Sequence, residues 1–596
     1  MDIRRPLRPL PRILKARERG VDPDLVEAEE RAARLRKQRA REKRRAELRL
    51  GLMAGVFGLA FVAVGAKMGM VAMAEPEEPA ARGQAAAIIN SRANIVDRNG
   101  AILATNLRTA ALYATPQDMA DPLGAVDGLM AIFPDLDADR LLRDFTGNRK
   151  FVWVKRKLSP EQQQAVLDLG EPGLKIGPRE LRLYPNGAFA AHILGGTRFG
   201  VEGVRSAELV GTAGVELEFD DYLRDPANDG NPLQLSIDLT VQSAMRQVLA
   251  GGMELMSAKA AMGVLMEANT GRIISMVSLP DFDPNHRPAP PTSGNPADSP
   301  LFNRAAQGKY ELGSTFKIFT AAQAIDAGVA TPDTMLNTQG PLVWRRFKIN
   351  DFRSYGPRLS LRDVIVKSSN VGIARLAMSM GDEAMQEFLR SLGLFERLPV
   401  ELPESRRSTP LLPPRWSEIS TLTVSYGQGI AVTPVHLAAA YATILNGGLR
   451  VRPTLLNEVT LPTEDDRVIS ESTSIAARDM LRQVVVRGTA SLGEVEGYEV
   501  GGKTGTADKP NPQGAYYDDK VIGTFASAFP MSNPQYVLVV SLDEPNIDVL
   551  GEDRRTAGWT AVPVAAEIIR RIAPLLGLRP NAGNETPRTP ILTAGN

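Results

Sequence analysis

From Leu50 to Ala66 the chain runs seventeen residues without a charge, and that run limits what everything around it can become. Lys67 interrupts it, and Met68 to Ala74 is apolar again. Roughly 20 apolar residues cross the hydrocarbon layer of a bilayer, and a lysine near one end can snorkel to the interface. A buried core helix would keep a polar stripe, which this segment lacks. Residues 50–74 therefore read as a transmembrane anchor. Residues 1–49 hold 17 Lys/Arg against 9 Asp/Glu, while the remaining residues hold 53 against 60. The formal net charge of +1 thus conceals an arm at +8 and a body at −7. Ten of the basic residues lie between Arg31 and Arg49, whereas Glu75, Glu77 and Glu78 open the far side. The positive-inside rule puts the arm in the cytoplasm and residues 75–596 outside it. Ala72-Met73-Ala74 resembles a signal-peptide cleavage site, but a basic region of 49 residues is too long for a signal n-region. Against a membrane, the arm is expected to meet anionic lipid headgroups, and no nucleic acid is expected.

The chain has no cysteine, which removes disulfides, thiolate zinc sites and cysteine nucleophiles together. Its three histidines, His192, His286 and His436, give little basis for a metal centre or a histidine triad and read as structural. Neither a metal nor an organic cofactor is expected.

Residues 75–88 read as a Pro/Ala/Glu linker. Ala93 to Ala104 carries two short apolar runs around Asn99-Gly100, a hairpin signal. Residues 89–232 mix helical and extended stretches without a repeat, an α+β module. Ala261–Glu267 and Arg272–Val277 predict adjacent strands around Ala268-Asn269-Thr270-Gly271. Far downstream Tyr498–Thr506, Val521–Phe529 and Tyr536–Leu542 are strand-like, and residues 312–490 between the two groups are largely helical. Two strands, a helical insert and three strands predict one five-stranded antiparallel sheet assembled from both ends of a mixed α/β domain, residues 233–575. Residues 576–596 end in a Pro/Thr/Asn-rich tail expected to be disordered.

Three short motifs carry chemistry. Ser314-Thr315-Phe316-Lys317 opens an apolar run that stops at Gly328, a C′ glycine, so Ser314 should sit at a helix start with Phe316 and Phe319 anchoring the helix in the core. Ser314 and Lys317 are then i and i+3 on one face. A serine hydroxyl needs a base, and a lysine can serve when burial or a second cation favours its neutral form. Ser368-Ser369-Asn370 lies between two helical runs, where Ser368 and Asn370 can project into one cleft. Lys503-Thr504-Gly505-Thr506 places a cation and hydroxyls at a strand edge, with Gly505 open to a ligand backbone. Alone, each match has a bland reading as a capped helix, a turn or an edge strand.

In this order the three resemble the penicillin-binding proteins and serine β-lactamases, whose signature is Ser-x-x-Lys, Ser-x-Asn and Lys-Thr-Gly. Anchor, non-catalytic module and C-terminal transpeptidase resemble class B, and residues 75–232 show no glycosyltransferase pattern. Asn94 to Gly100, Arg182-Leu183-Tyr184-Pro185, Gly214-Val215-Glu216 and Tyr426 to Pro434 add to the likeness. Leu312, where the elongation type usually has proline, resembles the septal (division) type.

The resemblance implies a membrane-anchored multidomain protein with an N-terminal pedestal, its catalytic domain in the periplasm and at the septum. It implies peptidoglycan D,D-transpeptidation: Ser314 as nucleophile, Lys317 as base, Ser368 as proton relay, Asn370 holding the peptide amide, and Lys503 and Thr504 receiving a carboxylate. The N–H groups of Ser314 and Thr506 would form the oxyanion hole. Expected partners are peptidoglycan stem peptides, β-lactams, a SEDS-family lipid-II polymerase and other division proteins. Alternatives on the same fold are an elongation-type transpeptidase, a D,D-carboxypeptidase, a β-lactamase or a β-lactam sensor. Tyr516 and Tyr517 read equally as cleft lining or turn filler.

Overall fold

The computed structural model describes residues 92–581 except 203–206, 229 and 512, together with residues 18–20, 32, 36, 51–65 and 67. Most of the expected arm, residues 50, 66 and 68–74 of the expected anchor, the linker and residues 582–596 of the tail lie outside the described residues. Residues 51–65 are helical and exposed throughout. Among the described residues, no helix is long and apolar enough to cross a membrane.

The chain divides into two compact units. The smaller takes in Tyr113–Val154 and Ala165–Lys175 with residues up to Ala81. In it Asp121 caps the helix Pro122–Ile132 through Gly124 N–H, and Asp137 caps Ala138–Thr146 through Arg140 N–H, side-chain oxygens serving amides that the first helical turn leaves unpaired. The rings of Tyr113 and Phe151 stack at 5.2 Å, and Trp153 meets Phe151 edge-on at 4.9 Å.

The larger unit contains the rest. Its first strands are β1 (Ile95–Val96) and β2 (Ile102–Ala114), paired antiparallel around the expected Asn-Gly turn. β1 also pairs in parallel with β3 (Leu233–Gln234), so backbone bonds cross the boundary expected at residue 232. Near β1 the carboxylate of Glu216, fully buried, accepts from Arg92 at 2.6 Å and Arg182 at 2.7 Å, which ties the Arg182 and Glu216 stretches together.

The central sheet has five strands: β4 (Ala260–Glu267), β5 (Ile273–Leu279), β6 (Gly501–Pro510), β7 (Tyr516–Phe529) and β8 (Tyr536–Asp543), in the order β6-β7-β8-β4-β5. Every pairing is antiparallel, and one row runs Lys503, Ala526, Val539, Val264, Met276 across it. The expected two-plus-three assembly is therefore the one observed. β5 and β8 are buried at every position rather than alternately, because helices cover both faces. α1 (Leu239–Leu255) lies over Gly263, where an added Cβ would stand 2.4 Å from Met245, and packs on α7 (Ala561–Leu575) through Gly252 and Val564. On the sheet's other side α5 (Pro434–Leu445) is buried at all twelve positions. A helix apolar all round belongs inside, and this one is the axis of the core. The insert supplies α2 (Lys317–Asp326), α3 (Leu361–Lys367), α4 (Asn370–Met380) and α6 (Glu471–Arg487), as expected, together with short hairpin strands at Leu342–Trp344 and Phe347–Ile349.

Candidate active site

Ser314 does not open α2. It stands in a 3-10 turn, Gly313–Phe316, and α2 begins at Lys317. The tighter winding brings i and i+3 into line, so Ser314 and Lys317 still share one side. Packing imposes the turn. Gly313 has φ +55°, and an added Cβ on Gly427 (φ +82°) would lie 2.0 Å from the Gly313 carbonyl oxygen. Gly505 of β6 passes so close that its Cβ would lie 2.1 Å from the Leu312 carbonyl oxygen. Tyr441 of α5 donates to the Thr315 carbonyl at 2.7 Å, buried. Phe316, Phe319 and Tyr441 form an edge-to-face row at 5.3 and 5.4 Å, the anchor expected of the two phenylalanines. The nucleophile's turn is thus clamped from two sides, and α2 ends at Ala327 before Gly328 (φ +69°) as expected.

Lys317 is fully buried, and its ammonium nitrogen is held three ways: by the Ser368 carbonyl at 2.6 Å, Ser368 Oγ at 3.0 Å and Asn370 Oδ1 at 2.6 Å. Burial first, and then the charge of Lys503, push its pKa well below the ordinary lysine value, while Asp351 pulls it back up. Lys503 is also fully buried, donates to Ser368 Oγ at 2.9 Å and is pushed down to about 7 by burial. One hydroxyl therefore bridges two lysines. Ser368 itself closes α3 in the left-handed region, φ +63° and ψ 41°. A non-glycine residue there is strained, and strain of this kind concentrates at functional sites. Among the described residues, Ser314 Oγ has no hydrogen-bond partner, which leaves it free toward the cleft.

Gly505 passes close against its own chain at the Leu312 carbonyl. Asn370 places Oδ1 on Lys317 and one Nδ2 N–H on the Asn350 carbonyl at 3.0 Å, which leaves its second Nδ2 N–H uncommitted. Thr504 is 8% exposed, its hydroxyl 2.7 Å from that of Thr489, while the exposed Thr506 takes the Ala557 N–H on its hydroxyl at 3.0 Å. Sequence reasoning missed Asn350, Asp351 and Tyr441, none of which lies within a motif, and it noted the Tyr426 to Pro434 stretch without the packing role of Gly427. Asp351 accepts from Ser369 Oγ at 2.7 Å and from the N–H groups of Asn370 and Val371 at 2.5 and 3.0 Å.

Tyr516 donates to Glu311, three residues before Ser314, at 3.0 Å, and Tyr517 sits under Lys520, both at the start of β7. Burial raises the Glu311 carboxyl above its ordinary range. The histidines stand in other roles. His192 meets the Pro300 carbonyl at 2.7 Å, and His436 meets Thr433 and the Glu396 carbonyl. Burial pushes both down to about 4, so they are neutral packing groups, and His286 is exposed beside Asp283.

Residues 261–570 match the family model described as the penicillin-binding protein transpeptidase domain, and residues 87–228 match the penicillin-binding protein dimerisation domain. The probable peptidoglycan D,D-transpeptidase FtsI of Caulobacter vibrioides is 35% identical over 91% of this chain and 90% of that protein. The peptidoglycan D,D-transpeptidase FtsI of Escherichia coli K12 is 29% identical over 83% and 85%. Among solved structures, penicillin-binding protein 3 of Mycobacterium tuberculosis complexed with ampicillin superposes with a TM-score of 0.63 at 26% identity, over 83% of this chain and 97% of that one. With three motifs meeting around Ser368 and likeness over nearly its whole length, the chain belongs to the penicillin-binding proteins, as a class B, FtsI-like member.

Proposed function

We propose that the chain is a peptidoglycan D,D-transpeptidase that cross-links stem peptides through an ester on Ser314. The observation that carries this reading is the buried pair Lys317 and Lys503 sharing the Ser368 hydroxyl, with Lys317 three residues after Ser314. Neutral Lys317, its lone pair released from the Ser368 hydroxyl, takes the Ser314 proton as Oγ attacks the carbonyl of the penultimate D-alanine. The tetrahedral oxyanion is met by the N–H groups of Ser314, in the 3-10 turn before α2, and of Thr506 on β6. The peptide C–N bond breaks, Ser368 passes a proton to the departing D-alanine amine, and the acyl-enzyme remains. An amine of a neighbouring stem then attacks the ester, loses its proton to the lysine–serine pair and returns Ser314 as the free hydroxyl. Asn370 steadies the peptide amide, and Lys503, Thr504 and Thr506 line the edge that receives the substrate's carboxylate, or that of a β-lactam. Ser314→Ala should abolish covalent labelling by a fluorescent penicillin. Persisting label on that variant would sink the nucleophile assignment.

The same reading extends to residues 89–232 as pedestal, 233–575 as catalytic domain and 50–74 as a single-pass inner-membrane anchor with the arm cytoplasmic. Support for the anchor is the exposed apolar helix at 51–65, with Leu52, Phe57 and Phe61 at 64%, 62% and 76% exposure. External protease should digest the body but spare the arm in spheroplasts. The FtsI-named relatives support a septal role, with a SEDS-family lipid-II polymerase and other division proteins as partners. A fluorescent fusion should band at midcell and co-purify the polymerase. A dispersed lateral signal would point to the elongation type. The arm should bind vesicles of anionic lipid in a salt-dependent manner.

A further inference from the structure

Asp351 stands nineteen residues before Asn370, outside all three motifs, yet the middle motif is built on it. The hairpin Leu342–Trp344/Phe347–Ile349 is closed by the pair Leu342 and Ile349, and buried Ile349 leads directly into Asn350 and Asp351. Oδ1 of Asp351 receives two successive amides, Asn370 N–H and Val371 N–H, and Oδ2 receives the Ser369 hydroxyl. Capping α4 does not require this carboxylate, because Ser369 Oγ already accepts Gly372 N–H at 3.0 Å as the N-cap. The Asn370 amide has one orientation that satisfies both neighbours. Nδ2 donates to the Asn350 carbonyl, which leaves Oδ1 facing the nitrogen of Lys317. The reverse orientation would set donor against donor and carbonyl against carbonyl.

We propose that Asp351, together with the Asn350 carbonyl, is a positioning residue for acyl transfer: it fixes Asn370 against Lys317 and supplies the negative charge that balances Lys503 across that lysine. The proposal rests on reading Lys317 as the base. The charged groups that bear on Lys317 are Lys503 from β6 and Asp351 from the hairpin exit, with the uncharged Ser368 and Asn370 between them. Asp351 in turn lies beside Arg353 and Tyr355. Lys503 lowers the basicity of Lys317 and Asp351 restores it, whereas the depression of Lys503 itself comes from burial alone. Removing the Asp351 charge therefore acts directly on Lys317.

The test is the rate of acylation of the full-length protein by a fluorescent penicillin as a function of pH, with thermal midpoints measured in parallel. Asp351→Asn keeps the side chain's shape and its acceptor oxygen for the two amides. Its acid limb should move to lower pH by about one unit, the scale of one nearby charge, because the base loses its proton more readily, and its plateau should fall as the base weakens. Ser369→Ala removes one hydrogen bond to the carboxylate and keeps the charge, so it should lower the thermal midpoint and leave the limb in place. A limb that stays put in Asp351→Asn, or that moves equally in Ser369→Ala, overturns the proposal. Should Asp351→Asn not fold, Asp351→Glu, which retains the charge, must keep the wild-type limb, and a displaced limb there overturns it equally. Lys317→Ala separates the two levels: acylation at the wild-type rate refutes the base reading itself, and its loss leaves the Asp351 result to decide.

Discussion

Replacing Gly505 with alanine tests whether close packing, rather than any ligand contact, sets the nucleophile. The added Cβ would lie 2.1 Å from the Leu312 carbonyl oxygen and 2.9 Å from Thr315 Cγ2. A carbon rests against a carbonyl oxygen at about 3.3 Å or more, so a gap of roughly 1.2 Å must open. Neither side can yield cheaply. β6 is paired with β7 at Gly505 and Thr524, and the turn is clamped from behind by Gly427 and by the Tyr441 hydroxyl. Overpacking of this kind costs about 1–3 kcal/mol. The larger effect should fall on rate, because a shift of about 1 Å in a reacting group costs on the order of 100-fold. Gly505→Ala should therefore acylate with a fluorescent penicillin on the order of 100-fold more slowly, with only a modest drop in thermal midpoint. Gly251→Ala is the control: it lies in α1 with nothing within 4 Å of its Cβ, so it should leave acylation unchanged. Acylation of Gly505→Ala at the wild-type rate would refute the packing argument.

Glu216→Gln removes the charge that two buried arginines share, and breaking a buried pair costs about 3–5 kcal/mol, so unfolding by urea should shift strongly while any folded fraction still acylates. Tyr441→Phe orphans the buried Thr315 carbonyl at about 1–3 kcal/mol, and a thermal midpoint equal to wild type would contradict the hydrogen bond. Lys503 is depressed to about 7 from the ordinary lysine value of 10.5, so between those values the unfolded chain binds the proton that the folded chain has released. Its contribution to stability is full above pH 10.5, falls as pH drops toward about 7 and is level below that. Thermal midpoints taken from pH 7 to pH 10 should rise less steeply in Lys503→Met than in the wild type.

Much of the site was legible because its chemistry sits in contiguous residues. A helix stop at Gly328, an apolar row at Phe316 and Phe319, and the two-plus-three strand order are local patterns, and the fold keeps each of them. What escaped is what long-range packing decides. Strands buried on both faces carry no alternation that reports what covers them, and α5 lies 126 positions from the carbonyl it serves. Gly505 and Gly427 look like ordinary turn or edge glycines until another segment's carbonyl is brought against them. Asp351 is an acidic residue after an exposed hairpin, and no spacing rule ties it to Asn370. Thr489, whose hydroxyl meets that of Thr504, lies in no motif and is brought there by packing alone.

Counting protons around Ser368 shows why the site needs two lysines and not one. The Ser368 carbonyl and Asn370 Oδ1 can only accept, so two of the three contacts of Lys317 must be donated by it. If Lys317 is neutral, its two N–H bonds are spent there, and its lone pair must receive the third contact, the Ser368 hydroxyl proton. The Ser368 oxygen is then turned to accept from Lys503, which is the observed 2.9 Å contact. In that arrangement the Ser368 hydroxyl and both N–H bonds of Lys317 have acceptors, with the positive charge on Lys503. Charging both lysines would place two cations against one hydroxyl in a buried site, the costlier state. In the proposed reaction, an anionic substrate end arriving at the β6 edge would stabilise the charged form of Lys503, and that charge would hold Lys317 neutral. Recognition of the carboxylate and activation of the base would then be one electrostatic event, transmitted through a single serine oxygen.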